Sequence, residues 1–276
     1  MNILGISASA RAWGNTDLLV HHALRGAEAE GAQGRFLRLT DLDLGPCKGC
    51  MACVFKGVDC VQPDRLPELL EAWRWADGVV LGSPTYVLGA TGAVKNLQDR
   101  FIRFGVAREF VGKPGVAVAA AGVPGWEPFA LAQLSLTFLF LGMPVVDQWV
   151  GYGQGPGEVL DDERACRRAG EAGRALARGR TAYRGEPGTC PVCHLDLVTG
   201  KPDGSARCTL CDLPGAWEDT GGGQRAFRPE PGAEPRWSEA SMRHHFVDRI
   251  LPSGPRFKAR IKEIRARVEA FREGAP

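Results

Sequence analysis

The chain opens with a short apolar run from Asn2 to Ile6, the length of a buried strand, and the pattern recurs at intervals along the first two-thirds. A polar loop from Ser7 to Gly14 leads into a helix-like segment starting at Asn15, which carries Leu18, Leu19, His22 and Leu24. Residues 35–39 read as a second strand and Asp64 to Ala76 as a helix. A third strand begins at Asp77 and ends in a turn at Ser83-Pro84, followed by a helix over 92–104. Gly115 to Ala121 gives a fourth strand, Phe129 to Leu141 a helix, and Pro144 to Val150 a fifth strand. An Arg- and Ala-rich helix over 161–178 closes the unit. Apolar runs without polar alternation are buried on both faces, and strands separated by helices pair in parallel. The expected fold is α/β, a five-stranded doubly wound parallel sheet occupying residues 1–182.

The pattern changes near Gly185-Glu-Pro-Gly, which reads as a linker. A small module follows over residues 186–220, then a flexible passage from the glycines at 221–223 to Pro235. A helical tail spans 236–276. In it Phe257, Ile261, Ile264, Val268 and Phe271 alternate at steps of four and three, one apolar face backed by Arg and Lys. The expectation is a docked apolar side and a solvated basic side.

Composition narrows the class. At 276 residues the chain can bury a sizeable core and carry an appendage. A net charge of +2 gives no electrostatic reason to expect nucleic acid as a partner. Pro128 to Val146 lacks charge, but Gln133, Ser135, Thr137, Gly142 and Pro144 interrupt it, so it reads as a buried helix and strand rather than a membrane span. The start of the chain has no basic leader or cleavage site, and nine cysteines at metal-type spacing suit a reducing compartment. A cytoplasmic protein is expected.

The sharpest chemical signal is Cys47-Lys-Gly-Cys50-Met-Ala-Cys53, with Cys60 returning after six residues. Two successive C-x2-C steps put three sulfurs on one tight loop, as a cubane iron–sulfur cluster requires of its corner irons. Gly49 and Ala52 leave room for the backbone to wrap such a group and donate N–H to its sulfurs. The alternatives are a zinc site, which more often takes two separated knuckles, or unmetallated thiols.

Three loops fall at expected strand ends, where an open parallel sheet binds ligands. In the first, Ser7, Ser9, Arg11, Asn15 and Thr16 combine hydroxyls, a helix N-terminus and a cation, a set that holds a phosphate. It matches neither dinucleotide nor nucleoside-triphosphate fingerprints, and a simply capped helix start is the alternative. The second is Ser83-Pro84-Thr85-Tyr86-Val87, followed by Lys95-Asn96 and Asp99-Arg100; the third is Ala120-Ala121-Gly122.

Together with the cysteine run, these loops resemble the iron–sulfur flavoproteins of the flavodoxin-like NADPH-dependent FMN reductase superfamily, over roughly residues 1–180. The resemblance implies a flavodoxin-like fold with FMN and a [4Fe-4S] cluster. Ser7, Ser9, Arg11, Asn15 and Thr16 would bind the FMN phosphate. Pro84, Thr85, Tyr86 and Val87 would line the ring, approached by Ala121 and Gly122, although relatives carry a glycine-richer third loop. Cys47, Cys50, Cys53 and Cys60 would ligate the cluster, near a flavin across a subunit interface in a homo-oligomer, dimer or tetramer. A cluster passes single electrons whereas FMN takes one or two. The implied activity is therefore electron transfer from ferredoxin or NAD(P)H to a small acceptor, without a catalytic side-chain acid or base. Two other functions remain open: an NAD(P)H-dependent FMN or quinone reductase lacking the cluster, and a redox-sensing nucleic-acid-binding protein.

Cys190-Pro-Val-Cys193 and Cys208-Thr-Leu-Cys211 form a pair of C-x2-C knuckles, a zinc-ribbon signal in a module too small to fold on its own core. A rubredoxin-like iron is the alternative. Knuckles of that kind are usually followed by glycine, and here His194 and Asp212 follow, which favours a structural zinc. Cys166, His21, His22, His244 and His245 read as ordinary core or surface positions.

Overall fold

A computed structural model describes residues 1–186 and 188–274; Pro187, in the expected linker, and Ala275–Pro276, at the end of the expected tail, lie outside them. The strands that the apolar runs predict are β1 (Asn2–Ser7), β2 (Gln33–Arg38), β3 (Gly78–Tyr86), β5 (Gly115–Ala121) and β6 (Val145–Tyr152). The two-residue β4 (Gly89–Ala90) folds back antiparallel on the end of β3. The long strands pair in parallel in the order β2-β1-β3-β5-β6. That is a flavodoxin-like arrangement, whose order reverses between β1 and β3.

Successive residues of each strand point to opposite faces, and both faces are covered. Ile3, Val80, Val116 and Val118 lie under α1 (Asn15–Glu28) and α7 (Glu163–Ala177). Leu4, Ile6, Val79, Leu81, Ala117 and Ala119 lie under α3 (Leu66–Trp75), α4 (Gly92–Arg100), α5 (Ile102–Ala107) and α6 (Ala130–Leu141). The uncharged stretch from Pro128 is α6 followed by β6, and no helix among the described residues is long and apolar enough to cross a membrane.

Three local expectations are corrected. The helix over 92–104 breaks at Phe101, whose φ of −96° and ψ of 4° separate α4 from α5. Phe101 packs with Trp73, Phe104 and Phe110, so apolar periodicity continues across a backbone that does not. The passage after 221 is an ordered hairpin. Gly221, Gly222 and Gly223 take positive φ, and β10 (Gln224–Pro229) pairs with β9 (Pro214–Gly221). β9 in turn joins β8 (Ser205–Cys208) and β7 (Val198–Gly200) in a four-stranded antiparallel sheet.

The tail contains α8 (Glu239–Arg243), a π-helical turn over His244–Ile250 and α9 (Ser253–Glu273). No residue of α9 is buried, and Phe257, Val268 and Phe271 are exposed, so the expected docked side is not seated on this chain. Its narrow apolar stripe is flanked by Lys258, Arg260, Arg265, Arg267 and Arg272.

α1 and α7 touch backbone to backbone. A Cβ at Gly173 would lie 1.8 Å from the Ala23 carbonyl oxygen, and one at Gly26 would lie 2.0 Å from that of Gly170. Neither obstacle is a side chain that can swing away. Gly173→Ala is expected to force the helices apart and cost about 3 kcal/mol, read as a lower urea midpoint; an unchanged midpoint would show that the contact yields.

Candidate functional site

The C-terminal ends of β1, β3 and β5 bring the three candidate loops to one edge of the sheet. In the first, the buried Ser7 hydroxyl accepts from Ser9 N–H at 3.2 Å, and Ser9 Oγ accepts from Arg11 N–H at 3.1 Å. Gly14 precedes α1 and supplies no side-chain cap, so the first-turn N–H groups have no side chain to satisfy them. Asp17, buried behind this turn, accepts from Trp13 N–H at 2.8 Å and from Arg38 at 2.6 Å. Trp13 has a φ of 58°, a left-handed conformation that a bulky residue rarely adopts, and the Asp17 bond holds it there. Thr40 and Thr91 donate to the Ser9 and Ala8 carbonyls at 3.1 Å each, fastening the loop to its neighbours.

In the second loop, Ser83 Oγ donates to the Pro84 carbonyl and accepts from Thr91 N–H. The Thr85 hydroxyl is buried without a partner among the described residues. Arg11 reaches across to the Tyr86 hydroxyl at 3.2 Å, and Val87, with a φ of 48°, is 97% exposed. In the third loop Ala121 is buried, Gly122 is exposed and Trp126 stands 68% exposed beside them in sequence. The Tyr152 hydroxyl donates to Glu127 at 2.8 Å; burial and that carboxylate push its pKa up to about 12. An uncapped helix start, an orphaned buried hydroxyl and an exposed apolar rim fit a ligand that is anionic at one end and flat at the other.

The two cysteine sets differ in kind. Cys47, Cys50, Cys53 and Cys60 line a cavity of about 310 Å³ with Met51, Gln62, Arg100 and Ile102. Left-handed backbone at Gly49, Met51 and Gly57 curls this loop about the short helix α2 (Ala52–Lys56), which carries Cys53, and Gly49 N–H donates to Cys47 Sγ at 3.4 Å. Burial, and then the other three sulfurs, push the Cys53 thiol up. Cys190, Cys193, Cys208 and Cys211 are fully buried, with all four sulfurs within 4.8 Å of one another and Cys193 to Cys208 at 3.7 Å. A tetrahedral ion with Zn–S bonds of about 2.3 Å has sulfurs about 3.8 Å apart, so this set fits one ion. Hydrogen bonds from the other three sulfurs lower the Cys208 pKa, whereas Cys193 and Cys211 are driven up. Four sulfurs buried this close together can all be thiolates only around a cation. The wall of the first cavity, with its sulfurs not drawn into such a knot, fits a larger group.

The knuckle geometry removes one argument from sequence. His194 and Asp212 take φ of 57° and 56°, the conformation a glycine would supply, and their N–H groups close the turns onto the Cys190 and Cys208 carbonyls. The absence of glycine therefore does not separate zinc from iron.

Residues 1–157, more than half of the chain, match the NADPH-dependent FMN reductase family. The chain belongs to that family. An iron–sulfur flavoprotein of Methanocaldococcus jannaschii is 34% identical over 186 residues, covering 64% of this chain and 96% of the relative. A flavone synthase of Aspergillus candidus is 30% identical over 252 residues, covering 78% of this chain and 77% of the relative. Among solved structures, a flavone reductase aligns with a TM-score of 0.77 at 26% identity, covering all of this chain and 98% of that one. These matches bear out the resemblance to iron–sulfur flavoproteins, and family membership makes the protein a flavin-dependent oxidoreductase with FMN as its flavin.

Within this FMN reductase frame, Asn15 has an architectural duty that sequence reasoning missed. Its amide donates to the Gly153 and Gly155 carbonyls and accepts from Gly157 N–H, pinning the segment after β6. The buried Thr16 methyl packs where a Cβ on Gly82 would sit, 2.8 Å away. Asp64 was also missed: with Arg100 it fixes the base of the cysteine loop through Gly45. Arg100, as hydrogen-bond donor, lowers the Asp64 pKa despite burial. A depressed carboxylate stabilises the fold fully above its unfolded value of about 3.9, and loses that contribution as pH falls through the native value. Asp64→Asn should cost about 3 kcal/mol at neutral pH, and the gap in urea midpoint from wild type should close in acid. A gap independent of pH would refute this.

Proposed function

We propose that this protein is an electron-transfer flavoprotein in which Cys47, Cys50, Cys53 and Cys60 hold a [4Fe-4S] cluster beside FMN. The observation that carries the reading is the curled cysteine loop: four sulfurs line a cavity of about 310 Å³, with N–H donation already made to Cys47. A cluster supplies electrons singly, and FMN takes them up singly or in pairs. The chain's own groups bind and orient: the uncapped start of α1 with Ser7, Ser9 and Arg11 takes the phosphate, and Thr85 offers its unpaired hydroxyl to the ring. Pro84, Tyr86, Val87, Ala121 and Gly122 form the walls around it. No side-chain acid or base is assigned to the reaction. Reduced ferredoxin or NAD(P)H is the proposed donor, a small molecule the acceptor, and a homo-oligomer the working form. Cys190, Cys193, Cys208 and Cys211 hold a structural zinc in this reading.

A narrower acceptor is favoured by coverage. The iron–sulfur relative from Methanocaldococcus jannaschii spans 64% of the chain, whereas the flavone reductase spans all of it and the flavone synthase 78%. The two names share a flavone and differ in the direction they describe. What carries over as a proposal is the substrate class, a planar conjugated carbonyl compound seated on the exposed apolar rim of Val87 and Trp126.

Cys50→Ser, purified anaerobically, is expected to lose the broad absorbance near ~400 nm while keeping FMN and zinc. Loss of flavin and iron together would mean that the cysteine loop is structural. Flavone consumption by the reduced wild-type protein tests the narrower acceptor, and its absence alongside quinone turnover would discard it.

A further inference from the structure

A buried cation faces the cysteine cavity and takes no part in the flavin loops. Arg100 ends α4, and its side chain is fully buried. Nη1 donates to the Gly45 carbonyl and to Asp64 Oδ2 at 2.6 Å each, and Nη2 donates to Asp64 Oδ1 at 3.0 Å. Nε is buried with no partner among the described residues. Arg100 and Cys60 line the same cavity, whereas Asp64 does not. The Asp64 bond raises the guanidinium's pKa above its usual value despite burial.

Other charges near the cavity are weaker candidates. Lys48 is exposed, so water and salt screen it, and Asp99 is occupied by Lys95 at the surface. Arg100 is the charge that solvent reaches least.

We propose that Arg100 sets the reduction potential of the cluster by fixing a buried positive charge, with an unused N–H, beside Cys60. The inference rests on the cluster reading given above. Each electron the cluster accepts makes the cluster and its thiolates one charge more negative. A fixed cation in a low-dielectric wall favours that state, because net charge and hydrogen bonds to sulfur are among the levers on cluster potential. Asp64 offsets part of the charge, but its main effect is to hold the planar fork in register with the loop, as Arg–carboxylate geometry does. An arginine is suited to this position because it stays charged when buried, where a lysine would shift.

The test is an anaerobic redox titration of the holoprotein, with iron content measured beside the cluster signal in electron paramagnetic resonance. Arg100→Gln should keep its iron and favour the reduced state about tenfold less, a shift of about 59 mV to more negative potential for a one-electron couple. Arg100→Lys should recover part of that shift. Arg100→Gln leaves Asp64 buried and unpaired and can fail to fold, so Asp64→Asn/Arg100→Gln, which keeps the shapes without the charges, is measured beside it and should also shift negative. Full iron with an unmoved midpoint in either glutamine variant overturns the proposal while leaving the cluster reading intact. Iron lost from both variants in folded, FMN-loaded protein overturns it too, since Arg100 would then only brace the loop. A wild-type protein that takes up no iron overturns the cluster reading and the inference together.

Discussion

Parallel pairing is the constraint on which the rest depends. Strands that all run one way leave their C-terminal ends on one edge, and the loops after β1, β3 and β5 have nowhere else to meet. The β1 loop feeds directly into α1, whose first-turn N–H groups need an acceptor that Gly14 cannot provide. Helix starts of this kind are ready sites for anions such as a phosphate, and the proposed function places one here. The Asp17–Arg38 pair and the Asn15 bonds to the segment after β6 hold that turn from behind.

The appendage is joined to this sheet rather than tethered beside it. Gln148 on the edge strand β6 accepts from Ser135 and donates to the Cys193 and His194 carbonyls at 2.9 Å each. The knuckle is therefore wired through one buried amide to α6 and β6. The four knuckle cysteines, Leu213 and Phe227 share a continuous core with Phe138 and Leu134. An ion there would brace the sheet's outer strand as well as its own module. The loop holding Cys47 to Cys60 is attached more lightly: Val54 is buried and Cys60 packs against the same core, while Cys47 and Cys50 are exposed and the Asp64–Arg100 pair fixes its base.

Much of this was legible in the sequence because burial on two faces writes long apolar runs. Ile3, Val80 and Val118 were placed in strands for that reason, and the flavodoxin-like order followed from the family resemblance. The cysteine spacings announced two sets of thiols, but not that one would be a buried knot and the other an open cavity, since exposure depends on what packs nearby. Phe101 hid a helix break because its side chain kept the apolar rhythm. Gly221 to Gly223 looked like slack and proved to be a hairpin turn, since three positive φ values define a turn as well as they permit freedom. Asn15 acts on carbonyls 138 and 140 positions away, contacts that no local pattern encodes. The α9 stripe was visible as a pattern, but its lack of a seat on this chain was not.

The account stands most directly on what the purified protein carries. Metal and flavin content of anaerobically isolated wild-type protein, with absorbance recorded before and after dithionite, should give about four irons, one zinc and one FMN per chain, with bleaching of both chromophores. FMN with zinc and no iron, under anaerobic handling, would contradict the two-centre account and leave a simple flavin reductase.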